Sequence, residues 1–372
     1  MATKVVGPSA HVYVEETFTI GLSVRSGPTS VTAFVGDFPG VPAAGARVGS
    51  WLDFTALAGE DGDGDLRKAL GPVLKSYFHN GGGHCYLVST AESSLAEALR
   101  AVSALGDVTL LAAPGLWDQG AQAAREWARA LTGWAAANKA MTILHTDRDH
   151  TPEQATKAVE AWDLDGETRG YAAVYFPWLR QSGDEEPLVP VGAVAGAWAA
   201  VDRERGVWKA PANIALRGTD GPICKATDDD QGARPNLNFL RTFPGTGDST
   251  LIWGARTLSD LDSWRYIPVR RLFNAVERDI ERALSAAMFE PNSQPTWEMV
   301  RASVDTYLHG LWQQGALQGH SAQEAYFVQV GTGVTMTEDD IAAGRLIVKA
   351  GLAAVRPAEF IILQFTQEMS QL

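Results

Sequence analysis

The sequence predicts an α/β plus α+β fold: a doubly wound, mostly parallel sheet domain followed by a C-terminal α+β domain, with extended arms at both ends. Three patterns carry that expectation. Apolar strand-length runs alternate with helix-length stretches from Val31 to roughly Arg205, apolar residues recur every four positions in two later stretches, and strand-like runs mark the approach to each terminus.

Residues 1–30 hold Val12, Tyr13 and Val14, then Phe18, Ile20, Leu22 and Val24 alternating with polar residues, and read as an extended arm with little local sequence to pair against. An α/β domain is expected over 31–218. Its strands are Cys85-Tyr86-Leu87-Val88, Val108 to Ala112, Met141 to Leu144 and Tyr171 to Phe176, alternating with helices near Ser93 to Ala104, Gln119 to Lys139 and Pro152 to Trp162. Such alternation makes a mostly parallel sheet covered on both faces, because parallel neighbours need a helix-length crossover. Residues 219–250 are rich in Gly, Pro and Asp, with Asp228-Asp229-Asp230 and Pro244-Gly245, and read as a connector.

The C-terminal α+β domain is expected over 251–365, with a tail at 366–372. Leu272, Val276, Ile280, Leu284 and Met288 recur every four residues up to Glu290-Pro291, which predicts a helix burying a narrow stripe. Trp297, Val300, Val304, Leu308 and Leu311 repeat the device, stopped near Gly315. Thr337 with Asp340 three residues on predicts a short capped helix, and Leu346 to Ala353 and Phe360 to Phe365 read as strands around Arg356-Pro357.

Composition narrows the partners. The 372 residues are 45% apolar, enough for a real core, and 31 basic against 44 acidic side chains leave a net charge of -13. That balance repels phosphate backbones and anionic headgroups, so neither nucleic acid nor membrane is expected as a partner. The longest apolar run, Val191 to Val201, is rich in Ala and Gly and too short to span a bilayer. The stretch from Met1 to Glu16 lacks the apolar core of a secretion signal, so synthesis in the cytoplasm is expected. Cys85 and Cys224 lie far apart and read as free thiols.

Enzyme chemistry has one foothold. A doubly wound sheet presents ligands at the carboxyl ends of its strands, where Asp118, His145, Asp147, Asp149 and His150 fall; the alternative reading is therefore a metal-dependent hydrolase using the His145/Asp147 region. No HExxH, GxSxG or GxxxxGK[ST] supports it, and polar residues at that edge ordinarily cap helices. In His79 to His84 the glycines leave a helix and enter a strand, the reverse of an anion cradle, so helix termination is the better reading. Glu60 to Asp65 spaces acids like a calcium loop but has Leu66 where that loop needs glycine, and it reads as a solvated loop. No catalytic residue, metal or cofactor is expected.

From Gly206 onward the chain resembles the phage tail sheath family. Gly206 to Asn213 (GVWKAPAN) is similar to a family signature, and Trp253 to Leu258, Trp264 to Leu272, Phe289-Glu290-Pro291-Asn292 and Arg356 to Phe360 follow in the family's order. Val12 to Glu16 resembles the family's opening VYVEE, with His11 where glycine is usual. The resemblance implies a C-terminal sheath domain and a structural subunit of a phage-tail-like contractile machine. Such subunits polymerise as stacked hexameric rings or helical strands around an inner tube and contract to drive it through an envelope. Implied partners are further copies of the chain, the tube, and baseplate and terminator components. The mature site would be a virion, tailocin or injection particle; a non-contracting tail part is a third reading. Strand exchange between subunits would use Val12, Tyr13 and Val14 at one end and Phe360, Ile362 and Gln364 at the other, whereas Trp208, Lys209, Pro211 and Asn213 would form a structural turn. Arg270, Arg271 and Glu338 to Asp340 are candidates for facing the tube.

Overall fold

The computed structural model describes residues 5–6, 11–12, 22–59, 64–243, 245, 249–288 and 290–357. Nine strands form one central sheet: β1 (Thr32–Gly36), β2 (Ala46–Val48), β3 (Cys85–Ser89), β4 (Leu110–Ala112), β5 (Met141–His145), β6 (Ala172–Phe176), β7 (Ile214–Leu216), β8 (Leu237–Arg241) and β9 (Thr250–Trp253). Their order is β7-β9-β8-β6-β5-β4-β1-β3-β2. The run from β8 to β3 is parallel throughout, and β2 at one edge and β9 with β7 at the other pair antiparallel.

Apolar residues occupy both faces of the parallel strands, as a doubly covered sheet requires. Period-two geometry sorts them: Phe34, Leu87, Met141, Ile143 and Tyr175 point into one core, and Val35, Val88, Leu111, Val174 and Phe176 into the other. Helices α1 (Trp51–Ala58), α2 (Asp65–His79) and α6 (Val191–Arg205) cover the first face; α3 (Leu95–Leu105), α4 (Gly120–Ala137) and α5 (Pro152–Ala161) cover the second. The Ala- and Gly-rich run therefore becomes helix α6, almost wholly buried. Its small residues admit α2 backbone to backbone: a Cβ on Gly196 would lie 2.3 Å from the Tyr77 carbonyl oxygen. The glycines after His79 do end α2 and lead into β3.

The segment expected as a connector is part of the sheet. Thr219–Pro222 joins Leu179–Gln181 and Pro187–Leu188 in a small sheet, α7 (Asp228–Ala233) follows with a capping box from Thr227, and β8 inserts beside β6. The physical reason is Asn238. Its Nδ2 donates to the carbonyls of Val174 (3.2 Å) and Arg256 (2.8 Å) and its Oδ1 accepts from the Arg256 N–H (2.8 Å), so a polar residue is buried fully satisfied in a strand.

A third core is built by α8 (Ile267–Leu284) and α9 (Gln294–Gln313) with the antiparallel strands Tyr326–Gln329 and Lys349–Leu352. Leu272, Val276, Val304, Leu308 and Leu311 fill it as their spacing predicts, and Val300 is buried on the same stripe of α9. Met288 does not: it lies beyond the end of α8 and is 62% exposed. The expected capping box of Thr337 and Asp340 is present on Glu338–Ala342.

Candidate assembly surfaces

Helix α8 is riveted to the α/β body. Arg271 clasps Asp202 at the end of α6 in a two-pronged ion pair, Nη1 to Oδ1 at 2.8 Å and Nη2 to Oδ2 at 2.5 Å, with its guanidinium 4.7 Å from the Trp198 ring. Both side chains are almost sealed from solvent, at 3% and 4% exposure. The neighbouring Arg270 guanidinium stacks between Trp264 (3.8 Å) and Tyr171 (4.6 Å), and its Nε donates to Asn274 Oδ1 at 2.9 Å. One turn on, Asn274 donates to the Ala140 carbonyl at 3.0 Å, and Arg278 donates to that of Lys139. Burial lowers Arg278 from its ordinary value to about 10, yet it stays charged at neutral pH. Arg270 and Arg271 are thus interior fasteners, which corrects the expectation that they face a tube; Glu338 and Asp339 are exposed.

The signature from Gly206 to Asn213 forms the turn between α6 and the next strand of the sheet. Gly206 closes α6 at φ 91°, and a Cβ there would lie 2.4 Å from the Trp208 ring. Trp208 packs on the third core, Pro211 is buried, Lys209 is exposed, and Asn213 takes a left-handed φ of 57° with its N–H donating to the Ile252 carbonyl at 2.7 Å. Residues 206–213 thereby carry the chain from α6 into β7.

Both ends of the described body lead away from the third core. Residues 22–30 run in from α9, with Val24 packed on that core and the Leu22 carbonyl accepting from Ser303 Oγ at 2.9 Å. At the other end Ala354 bridges Leu317, and the Val355 N–H donates to the Ala316 carbonyl at 3.3 Å. Between them sit the strands Tyr326–Gln329 and Lys349–Leu352, which among the described residues pair only with each other, and Phe327 on them is 53% exposed. Among the described residues, each strand thus has one backbone edge with no strand paired to it. Of the residues expected in strand exchange, Val12 lies in a two-residue strand paired antiparallel with Val5–Val6. Tyr13, Val14, Phe360, Ile362 and Gln364 lie outside the described residues.

The polar groups at this sheet edge are engaged by the fold itself. His145 is wholly buried at the end of β5, its Nδ1 facing the Thr146 carbonyl at 2.9 Å and its Nε2 that of Ala113 at 3.2 Å. Burial lowers its pKa to about 4, so the ring is a neutral part of the core near pH 7. Asp147 accepts from the Asp149 N–H at 2.9 Å as a loop former, and the His150 ring packs edge-on to Trp117. Among the described residues no three His, Cys, Asp or Glu side chains gather as a metal site, and no helix is long and apolar enough to cross a membrane.

Residues 259–368 match the phage tail sheath C-terminal domain family. The sheath of the PVC extracellular contractile injection system, in its contracted state, is 43% identical with a TM-score of 0.83, over 98% of this chain and 99% of that one. The contracted helical sheath of the anti-feeding prophage is 38% identical with a TM-score of 0.79, over 98% of this chain and 100% of that one. The sheath tail protein of Desulfitobacterium hafniense, at 12% identity, TM-score 0.58 and 86% and 93% coverage, shares the fold. No curated protein sequence matches.

Proposed function

The chain belongs to the tail sheath family of contractile injection systems, and we propose that its copies are joined into the sheath by strands donated from their two ends. The fold and the sheath role are those of the matched contracted sheaths. The donated strands would come from residues around Val12 to Val14 and Phe360 to Gln364, and the acceptor would be the pair Tyr326–Gln329 and Lys349–Leu352 of a neighbouring copy.

The observation that supports this reading is the convergence on one core of residues 22–30, residues 354–355 and a two-stranded sheet whose strands, among the described residues, pair only with each other. Open edges are templates for an added strand, which brings main-chain hydrogen bonds whatever the side chains are. Contacts of that kind run head to tail and need not close, so they propagate a polymer. The sheath would enclose an inner tube, meet baseplate components at one end and a terminator at the other, and act without catalysis. Assembly in the cytoplasm before incorporation into an injection particle is part of the same proposal. Negative-stain electron microscopy of the protein expressed alone and with its neighbouring tube gene tests it. Hollow tubes or cogwheel-ended cylinders are the expected result, and uniformly dispersed monomers in both samples would overturn it.

A further inference from the structure

Residues 22–30 carry no regular secondary structure, yet they are fastened to three helices in succession. Ser303 Oγ on α9 shares its single proton between the Leu22 carbonyl at 2.9 Å and the Met299 carbonyl of its own helix at 2.8 Å. The Gly27 N–H donates to Asp279 Oδ1 on α8 at 2.9 Å. Thr29 engages the fork between α6 and α8: its Oγ1 donates to Asp202 Oδ2 at 2.5 Å and its carbonyl accepts from Arg271 Nη2 at 3.0 Å. Asp279 is as sealed as Asp202, with its side chain 5% exposed, and is also held by Tyr307 Oη at 2.8 Å and Arg282 Nη1 at 3.4 Å. At Gly27 the strap runs against the Arg282 guanidinium of α8, whose Nη1 would lie 2.3 Å from a Cβ there.

A strap that only covered apolar surface would not need this. Val24 alone packs on the third core, and desolvating two carboxylates costs more than apolar contacts of the same volume. The strap leads directly into β1, which lies inside the sheet between β3 and β4. Tension arriving from residue 21 would otherwise fall on β1 and peel a central strand.

We infer that Asp202 and Asp279, acting through Thr29 and Gly27, anchor the arm root and pass load from the arm into the α6–α8–α9 frame instead of into β1. The inference rests on the reading that the arm is donated to a neighbour. Asp202, Asp279 and Thr29 are on this account positioning residues for a sheath under tension.

The test uses the full chain co-expressed with its tube gene, carrying Thr29→Val, Thr29→Ser or Ser303→Ala. Thr29→Val keeps the shape and the Asp202–Arg271 pair but removes the hydroxyl. Hydrogen exchange of the amides at 22–30 is expected to rise about tenfold or more, from the loss of a bond to a buried charge, with β1 unchanged in the unassembled subunit. Polymers of Thr29→Val should fragment under shear to less than half the parent length, and Thr29→Ser should restore both readouts. Ser303→Ala, a small change at a partly buried position, should reproduce the effect in milder form, and stands in should Thr29→Val fail to fold. Unchanged exchange at 22–30, or raised exchange with parent-like shear resistance, overturns the anchor. Normal polymers from a variant lacking residues 1–16 would instead overturn arm donation itself, so the two failures are separable.

Discussion

Replacing Asp202 by Ala is the sharpest test of how the subunit body is held together. The change leaves the Arg271 guanidinium buried at 3% exposure with no counter-ion, and removes the acceptor of Thr29 Oγ1. Breaking a buried pair from one side costs about 3–5 kcal/mol, because the remaining charge stays desolvated. A chain of 372 residues unfolds with an entropy of about 0.8 kcal/mol/K at roughly 2.1 cal/mol/K per residue, so Tm should fall by about 4–6 °C. Thermal unfolding of the monomer by circular dichroism at neutral pH measures it. The double change Asp202→Leu with Arg271→Met removes both charges and should recover most of the loss, since apolar replacements of buried pairs are often neutral. A single variant within about 1 °C of the parent would refute the reasoning that the fork rivets α8 to α6.

His145 makes the fold acid-sensitive. Its folded pKa, lowered to about 4 by burial, lies below the ordinary 6.5, so the unfolded chain binds more protons between those values. Stability from this group is present in full above pH 6.5 and is lost as pH falls towards 4, by about 1.4 kcal/mol per pH unit at most. His145→Gln should therefore flatten the fall in Tm between pH 6.5 and 5, and an unchanged slope would contradict the buried neutral ring. Phe327→Ser should lower monomer stability by only about 1–2 kcal/mol, the ring being half exposed and packed on Gly351, yet shorten or abolish polymers seen by electron microscopy. Parent-like polymers would exclude that edge as an acceptor.

Parallel strands β3 to β6 were legible because burial on both faces writes them as short apolar runs, such as Cys85–Ser89 and Met141–His145, whereas β1 was not singled out. The stripes of α8 and α9 were legible because one buried face imposes a helical period; that reading overran at Met288, which is exposed, and Leu284 and Trp297 are only partly buried. Strand β8 was not legible, since Asn238 breaks the apolar run and its compensation lies in carbonyls of β6 and of residue 256, which no local pattern announces. Helix α6 hid for the opposite reason: buried all round, it shows no period.

The assembly residues divide the same way. The signature around Trp208 was visible as a motif, and its turn geometry at Gly206 and Asn213 fits a structural role. The fasteners were invisible: Arg271 meets Asp202 from 69 residues away and Thr29 from 242, so pairing rests on the tertiary fold alone. Arg271 looked like a surface charge on an amphipathic helix, and only its burial against Trp198 identifies it as an interior fastener.

Strand donation is tested most directly by deleting residues 1–16 and comparing the product with the full chain, each expressed with the tube gene. Thermal unfolding and electron microscopy should be read on the same samples. The account predicts a subunit that melts within about 2 °C of the parent, its three cores being intact, but forms no tubes. Tubes of parent length and abundance from the deleted chain would contradict it.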